Sequence, residues 1–209
     1  MTVSIGDLEL FNQEQVTLRM FNCKQFIEFV GIAASGSWKL IFKGETSASL
    51  AFNITAAQLR TALIDMTVIT DITVAGNMTA GFTIEFVNED GNQDQTPFSV
   101  SSNTLKTVGN IAVDIEIYYT ARGFDRQGQY LSGVAVDSTI WANVQPLNGK
   151  ELQQLPNYDA DRETLKIFTK TELRTDYEIV RNTKTYEVNN VESWYGFYRA
   201  LILEKKPSV

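Results

Sequence analysis

Alternation of apolar and polar residues is the feature that most constrains the fold of this chain. In the clearest run, Gly81–Val87, the apolar residues Phe82, Ile84 and Phe86 alternate with polar ones. Because successive side chains of a β-strand point to opposite faces, this run predicts a strand with one buried face. Similar patterns predict further strands before it, at Ser37–Lys43, Ala48–Phe52 and Ile69–Val74.

One helix interrupts these strands. Thr55 and Gln58 have the spacing of a capping box, in which each side chain binds the other residue's backbone N–H group. Leu59, Ala62 and Leu63 then fall on one face of a helix. We therefore expect a short helix near residues 55–65.

Short strands also dominate the C-terminal half. The predicted strands are Ile115–Thr120, Ser138–Leu147, Leu165–Thr169, Tyr177–Val180, Thr185–Val188 and Phe197–Leu203. The residues Arg181–Lys184 between two of them are typical of a hairpin turn. This many short strands in about 100 residues favours a small β-barrel.

Composition divides the chain into three parts. The predicted parts are an N-terminal segment at 1–25, a β-rich module at 26–108 and a barrel at 109–209. The middle part is rich in Thr, Ala, Ser and Gly, whereas the last part holds most of the tyrosines. We interpret the middle part as an insertion, because Gln15–Phe21 is suited to be the first strand of the barrel. The expected fold is mainly β: a small barrel plus an inserted β-rich domain with one short helix.

Composition also excludes several kinds of chemistry. The chain has no histidine, which rules out a Ser–His–Asp triad and a His-ligated metal. Its single cysteine, Cys23, excludes an internal disulfide and a Cys-rich zinc site. A net charge of −7 makes the chain a poor candidate for gripping nucleic-acid phosphates. We expect no enzymatic activity and no cofactor.

No membrane or export signal is visible. No stretch reaches the roughly 20 apolar residues of a membrane helix, and the first ten residues lack the basic and apolar regions of a signal peptide. We therefore expect no membrane partner, and folding in a cytoplasm.

The middle part resembles a β-rich module that recurs as an insertion in structural proteins of tailed bacteriophages. The similarity lies in the order of Gly36–Leu63, Ile72–Asn77 and Gly81–Asn92, with a Gly44-Glu45-Thr46 turn. Ile54 stands where that module usually has a small residue.

The last part resembles the phage head-closure family, also called head-completion or head–tail joining proteins. The runs that carry this resemblance are Ile140–Pro156, with its Val144-Gln145-Pro146-Leu147 step, then Leu165–Thr169 and Tyr186–Trp194. This sequence departs from the family at Asn157-Tyr158-Asp159, where a Gly/Arg-rich loop is commoner.

This resemblance implies a structural role in a virion. It implies a homo-oligomeric ring, sixfold or twelvefold, in the neck between head and tail, assembled in the cytoplasm of a host bacterium. The implied partners are the portal or adaptor protein and the tail proteins. DNA is implied only as cargo that passes through the lumen, a role with which a negative chain is compatible.

The loop after the Val-Gln-Pro-Leu step supplies the candidate ring-interface or lumen-facing residues. They are Glu151, Gln154, Asn157, Tyr158, Asp159, Asp161 and Arg162. Asp159 and Asp161, with Glu163 nearby, form an acidic cluster, for which a plain solvated loop and a Ca²⁺ site are the alternatives, although the spacing of an EF-hand is absent.

Four aromatic residues are candidate interface anchors, because tryptophan and tyrosine are enriched in protein interfaces. Trp141, between Ile140 and Ala142, fits core packing equally well. Tyr118 and Tyr119 are adjacent in a strand, so their rings must lie on opposite faces and one is exposed or covered by a neighbour. The fourth is Trp194.

Two other functions remain open at this point. A tail-terminator or tail-tube protein also forms β-barrel rings. A host- or carbohydrate-binding decoration module is the other alternative, motivated by the Thr/Ser/Ala-rich middle part.

Overall fold

The computed structural model describes residues 13–91, 93–148, 151, 162–194 and 196–205, with the side chain of Trp194 left out. Its elements, in chain order, are β1 Glu14–Asn22, β2 Lys24–Val30, β3 Ser37–Phe42, β4 Glu45–Thr46, β5 Leu50–Ala51, α1 Ala56–Ile64, β6 Ile72–Asn77, β7 Gly81–Phe86, α2 Asn88–Gly91, β8 Ser99–Asn103, β9 Asp114–Ala121, β10 Gly123–Phe124, β11 Tyr130–Leu131, β12 Val134–Pro146, β13 Thr164–Thr169, β14 Glu178–Arg181, β15 Lys184–Trp194 and β16 Phe197–Glu204.

The chain forms two compact units. The described residues up to Met20 and from Val136 onward make up a barrel unit, and Phe21–Ala135 make up an inserted unit. The inserted unit therefore interrupts the barrel unit in sequence.

The barrel unit is a closed sheet of six strands in the order β1-β12-β13-β16-β15-β14. The pairs β12–β13, β13–β16, β16–β15, β15–β14 and β14–β1 are all antiparallel. Since direction reverses at each of these five steps, β12 and β1 also run antiparallel where they meet. A closed sheet leaves no barrel strand with an unpaired edge.

Apolar side chains fill the interior of the barrel, because every second residue of each strand points inward. They form one cluster of buried residues: Val16, Leu18, Ile140, Ala142, Leu165, Ile167, Leu173, Tyr177, Ile179, Tyr186, Val188, Ala200 and Ile202. At about 25 cal/mol per Å² of apolar surface, the burial of these side chains is the main stabilising term of this unit.

The inserted unit contains two sheets around a second core. One sheet has the order β6-β7-β2-β9, and in the other β3 pairs with β4, β5 and β8. Trp38, Phe82 and Ile84 lie fully buried in the core. Phe42, Phe86 and Phe98 pack on one another there, with ring centroids 4.7 to 5.9 Å apart.

The helix α1 confirms the predicted capping box. Thr55 accepts a hydrogen bond from the backbone N–H of Gln58, and the Gln58 side chain accepts one from the backbone N–H of Thr55. Leu59 and Leu63 turn into the core, as their spacing predicted. Arg60 donates through Nε to the carbonyl oxygen of Ile72 at 2.7 Å, which attaches the helix to β6.

The division of the chain differs from the predicted boundaries at 25/26 and 108/109, since the units meet at 20/21 and 135/136. The predicted strand 115–120 exists as β9, but it pairs with β2 over its length and belongs to the inserted unit, outside the barrel. Ile115, Ile117 and Tyr119 pack against the core of that unit, so the alternation of β9 serves the inserted unit. Glu14–Asn22 is a barrel strand, β1, paired with β14.

Gly81 begins β7 at a φ of +83°, and Gly44 lies in the β3–β4 turn at a φ of +88°. An added Cβ meets nothing within 4 Å at Gly44, but at Gly81 it falls 2.6 Å from the carbonyl oxygen of Ile27. We expect Gly44→Ala to cost about 1 kcal/mol, the strain of a positive φ. Gly81→Ala should cost about 1–3 kcal/mol more, because it adds overpacking against backbone.

Urea unfolding of the two variants and the parent chain measures both costs. Since both variants carry the same backbone strain, their difference isolates the close contact at Gly81. Equal losses of unfolding free energy would contradict the packing described for β7.

Candidate functional site

Trp141 lies on the outside of the barrel. Its neighbours Ile140 and Ala142 are buried in the barrel core, whereas Trp141 is 57% exposed. Because successive residues of β12 point to opposite faces, the Trp141 indole points outward, and the alternative that it packs in the core is wrong. Its backbone is fixed, because its carbonyl oxygen accepts a hydrogen bond from Thr169 Oγ1 at 2.9 Å. A large apolar side chain exposed on a rigid strand is a candidate anchor for a partner.

Glu151 is tied to the outer face of the barrel. It accepts a backbone hydrogen bond from Asn148 at 2.8 Å and donates its own N–H to Asn148 Oδ1 at 2.9 Å. Lys166 of β13 reaches both carboxylate oxygens, at 2.9 and 3.1 Å, and Arg199 of β16 lies 3.6 Å away. The Asn148 bond first, and then the Lys166 bond, lower the pKa of this carboxyl group. Glu151 therefore remains ionised and links Asn148, which follows β12, to Lys166 of β13.

A cleft of about 260 Å³ lies beside Glu151. Its described lining combines apolar side chains with one cation and two carboxylates: Leu147, Glu151, Asn190, Glu192, Arg199, Ala200 and Leu201. Small-molecule sites usually measure about 300–1,000 Å³, so this cleft is of a size to receive a single side chain.

Arg162 makes contacts within the chain. Its Nε donates to the carbonyl oxygen of Glu204 at 2.7 Å, and its Nη2 contacts the Glu187 carboxylate at 3.1 Å. These bonds connect the start of β13 to β16 and β15. The described geometry therefore gives Arg162 a stabilising role at one end of the barrel, and its interface or lumen role stays a prediction.

Glu163 stands beside it in a small polar network. Its Oε2 accepts hydrogen bonds from Lys184 Nζ at 2.9 Å and from the Tyr186 hydroxyl at 3.0 Å. Lys184 also contacts Glu204 at 3.1 Å. The Lys184 and Tyr186 hydrogen bonds lower the pKa of Glu163, in that order of importance. The network links β13, β15 and β16 to one another at one end of the barrel.

Several predicted site residues cannot be placed. Gln154, Asn157, Tyr158, Asp159 and Asp161 lie outside the described residues. Trp194 is the last residue of β15, and only its backbone is described.

Tyr118 and Tyr119 occupy opposite faces of β9, as predicted. Tyr119 packs against the inserted core and donates its hydroxyl to the carbonyl oxygen of Gln95, and burial raises its pKa to about 12. The Tyr118 ring is covered by the chain's own residues: the Phe26 ring at 5.5 Å and the Arg126 guanidinium at 4.0 Å. These contacts cover part of each ring, and an interface role of the two tyrosines stays a prediction.

Arg126 is itself held over Tyr118 by two carboxylates. Glu28 of β2 lies 2.7 Å from its Nη2, and Glu116 of β9 lies 2.6 Å from it. This arrangement of Arg126, Glu28 and Glu116 fixes the loop between β10 and β11 on the outer face of the sheet.

Sequence reasoning missed a pair of exposed aromatic residues in the inserted unit. Phe124 is 61% and Tyr130 55% exposed, and their rings meet edge to face at 5.5 Å across the β10–β11 hairpin. The Tyr130 hydroxyl donates to Asp94 at 3.3 Å. The sequence contains a signal for this pair, because Phe124 and Tyr130 flank a Gly-containing turn.

The groups relevant to metal and thiol chemistry, in the part of the chain that the structure describes, are the acidic side chains and Cys23. Within it, no group of three or more Cys, Asp or Glu side chains is placed to hold a metal ion. Cys23 is fully buried, and burial raises its pKa to about 11, so the thiol is the stable form. No described helix has the length and apolar character needed to cross a bilayer.

The comparisons with known proteins include a distant structural likeness. No protein-family model matches this chain, and no curated protein matches it. A solved structure from Mycobacterium phage Patience is similar to 62% of this chain, with 16% sequence identity and a TM-score of 0.32. This chain covers 54% of that structure's chain, about half of its length. The likeness is a distant structural similarity to a phage structure and assigns no family.

Replacing Glu163 by Gln tests the network at the barrel end. Because the pKa of Glu163 is lowered in the folded state, its carboxylate stabilises the fold above the ordinary glutamate pKa of about 4.3. That contribution disappears as the pH falls through the lowered pKa. Glu163→Gln should therefore lower the unfolding free energy at neutral pH, by less than about 1 kcal/mol for this partly exposed group, and should match the parent chain at low pH.

Urea unfolding between about pH 2 and pH 7 measures the effect. Glu172→Gln is the matched control, since Glu172 is an exposed carboxylate whose ion pair among the described residues is with its near neighbour Arg174. A difference between Glu163→Gln and the parent chain that grows toward low pH would contradict the described network.

Proposed function

We propose that this chain is a structural virion protein of a tailed bacteriophage, and that it works in the neck as a homo-oligomeric ring joining the portal or adaptor to the tail. DNA passes through the ring as transient cargo. The proposed role is mechanical, with no catalytic residue and no cofactor.

The observation that carries this proposal is where the head-closure-like sequence runs fall. Ile140–Leu147 lies at the end of β12, Leu165–Thr169 is β13, and Tyr186–Trp194 is most of β15. The first two pair directly, with Val144 opposite Ile167, and β16 joins β13 to β15. The three runs, which are separated in sequence, therefore meet in one closed sheet. This supports the interpretation that they belong together as parts of one head-closure-like barrel.

The ends of these strands fit the same interpretation. Pro146 is the last residue of β12, opposite Leu165, and a proline without an N–H group is tolerated at such a strand end. Asn143 Oδ1 accepts a hydrogen bond from Gln145 Nε2 at 3.1 Å on the outer face. The Val-Gln-Pro-Leu step thus ends the strand and leads to Asn148, which Glu151 links to β13.

The charge of the chain supports a conduit for DNA. Lys and Arg residues number 18 and Asp and Glu residues 25, for a net charge of −7. Many Arg and Lys side chains of the barrel unit are already paired with carboxylates, as Arg19 is with Asp137 at 2.8 Å. Cations engaged in this way are poor anchors for phosphate, and a wall that releases DNA needs few anchors.

Localisation in the virion tests the proposal. Particles carrying this protein with a small C-terminal tag are imaged by cryo-electron microscopy with a tag-specific antibody fragment. We expect density at the head–tail junction, above the first tail ring. Density at or below that ring favours a tail-terminator or tail-tube protein, and absence from purified particles overturns a virion role.

Loss of the gene provides the second measurement. A phage without this protein should accumulate filled or leaking heads and separate tails, because the junction between them is missing. Supplying the full-length chain from a plasmid should restore joined particles. Normal joined particles in its absence would contradict the neck assignment.

A second candidate function belongs to the inserted unit alone. The exposed Phe124–Tyr130 pair, with Asp94 beside it, combines aromatic faces with a carboxylate acceptor, a combination suited to stacking on and hydrogen bonding a sugar ring. We propose saccharide binding at this hairpin as the decoration role of the unit.

Glycan-array binding of the full chain tests this second candidate. Phe124→Ala should weaken binding about tenfold or more, since it removes one of two stacking surfaces. Val108→Ala is the matched control, because Val108 is also an exposed apolar residue of the inserted unit and lies outside the hairpin. Absence of glycan binding by the parent chain, or an equal effect of both substitutions, would rule the hairpin out.

A further inference from the structure

Two features of the outer barrel surface lie on different strands. Trp141 projects from β12, and the cleft described above is lined by residues of β15 and β16 together with Leu147 and Glu151. In the order β1-β12-β13-β16-β15-β14, two steps separate β12 from β16, which carries Arg199, and three separate it from β15. One barrel therefore carries a projecting indole on one strand and the cationic part of a cleft two strands away around the ring.

The two features also lie at a similar level along the strands. Ala142 is opposite Thr169, Thr169 is opposite Tyr198, and Tyr198 is opposite Ser193. Trp141 lies one residue from this row. Through Phe168, Arg199 is in register with Asn143, and through Lys166, Leu201 is in register with Gln145. These cleft residues are therefore two and four residues from Trp141 along the strand direction.

The chemistry of the cleft suits an aromatic side chain. Leu147 and Leu201 give it an apolar part, and the Arg199 side chain, which is 43% exposed, lies beside them. An arginine guanidinium binds the face of a tryptophan better than that of other aromatic residues, and gains most when the pair is shielded from water. Glu192 at 3.5 Å and Glu151 at 3.6 Å hold this guanidinium in position.

We propose that Trp141 of one copy inserts into the cleft beside Arg199 of the next copy. This inference rests on the proposed ring and names the contact that builds it. A second copy is the partner because every copy offers both halves of the contact, on different strands of one barrel. Such a head-to-tail contact repeats around an axis and closes into a ring when the rotation allows it.

The expected energetics follow from the position of the indole. A tryptophan that is more than half exposed in the single chain and buried at the centre of a contact is typical of a binding hot spot. Removing a hot spot weakens association at least about 30-fold. Because Trp141 does not contribute to the barrel core, its replacement leaves the fold intact.

The test compares the assembly of the full-length chain and two variants by native mass spectrometry and sedimentation. Trp141→Ala removes the projecting indole and keeps the cleft. Glu192→Trp fills the cleft from its rim and keeps the indole. We expect rings from the parent chain and monomers from each variant, with unchanged circular dichroism and thermal unfolding. Phe124→Ala, which removes an exposed aromatic residue from the inserted unit, is the control and should form rings.

An equimolar mixture of the two variants is the decisive sample. Trp141 of the Glu192→Trp chain fits the open cleft of the Trp141→Ala chain. A second contact cannot form, because the Trp141→Ala chain lacks the indole and the cleft of the Glu192→Trp chain is filled. The mixture should therefore form heterodimers and nothing larger. Rings formed by either variant, a mixture that stays monomeric, or a parent chain that stays monomeric at its solubility limit would overturn the contact.

These outcomes separate this inference from the proposed function. Rings that depend on Trp141 while the protein is absent from the virion neck support the contact and overturn the neck role. Rings at the neck that persist in Trp141→Ala support the neck role and overturn the contact.

Discussion

Closure of the six-stranded barrel depends on one strand, β1, which is separated in sequence from the other five. It pairs with β14 on one side, where Thr17 is opposite Val180, and with β12 on the other. Without it, β12 and β14 would each expose a row of unpaired backbone groups, and the interior cluster would lose Val16 and Leu18. The pairing of β1 with β12 also constrains the ends of the inserted unit, because the chain enters that unit from β1 and leaves it through β12.

Side chains fill the interior of the barrel, which limits where a channel for DNA could lie. The buried side chains of β13, β14 and β16, such as Ile167, Ile179 and Ile202, leave the centre to packing. A barrel of this strand number is a core without a pore. In a neck ring, DNA would therefore pass along an axis between copies, and the outer faces of the barrel would carry the contacts. The exposed indole of Trp141 and the ion pairs around Arg199 lie on those faces.

Local signals made much of the fold predictable. The alternation of β7 and the Thr55–Gln58 capping box each act within a few residues, so the sequence contains the whole cause of the structure there. The partner of β9 depends on distant residues, since its alternation fits either the barrel or the inserted sheet, and this strand was predicted in the barrel. For the site, the exposure of Trp141 depends on Ile140 and Ala142 reaching the core, and Arg162 binds Glu187 and Glu204 of two other strands. No local pattern encodes such choices.

The ends of the inserted unit lie side by side, which changes how the whole chain folds. Gly133 packs so closely on Phe21 that an added Cβ would lie 2.5 Å from the Phe21 Cβ. Once the inserted unit has folded, β1 and β12 are joined as if by a loop of a few residues instead of more than a hundred. Loop-closure entropy scales as (3/2)RT ln n, so this shortening removes about 3 kcal/mol from the cost of closing the barrel. During synthesis the inserted unit emerges from the ribosome before β13 does, so it can fold first and bring the two barrel strands attached to its ends close together.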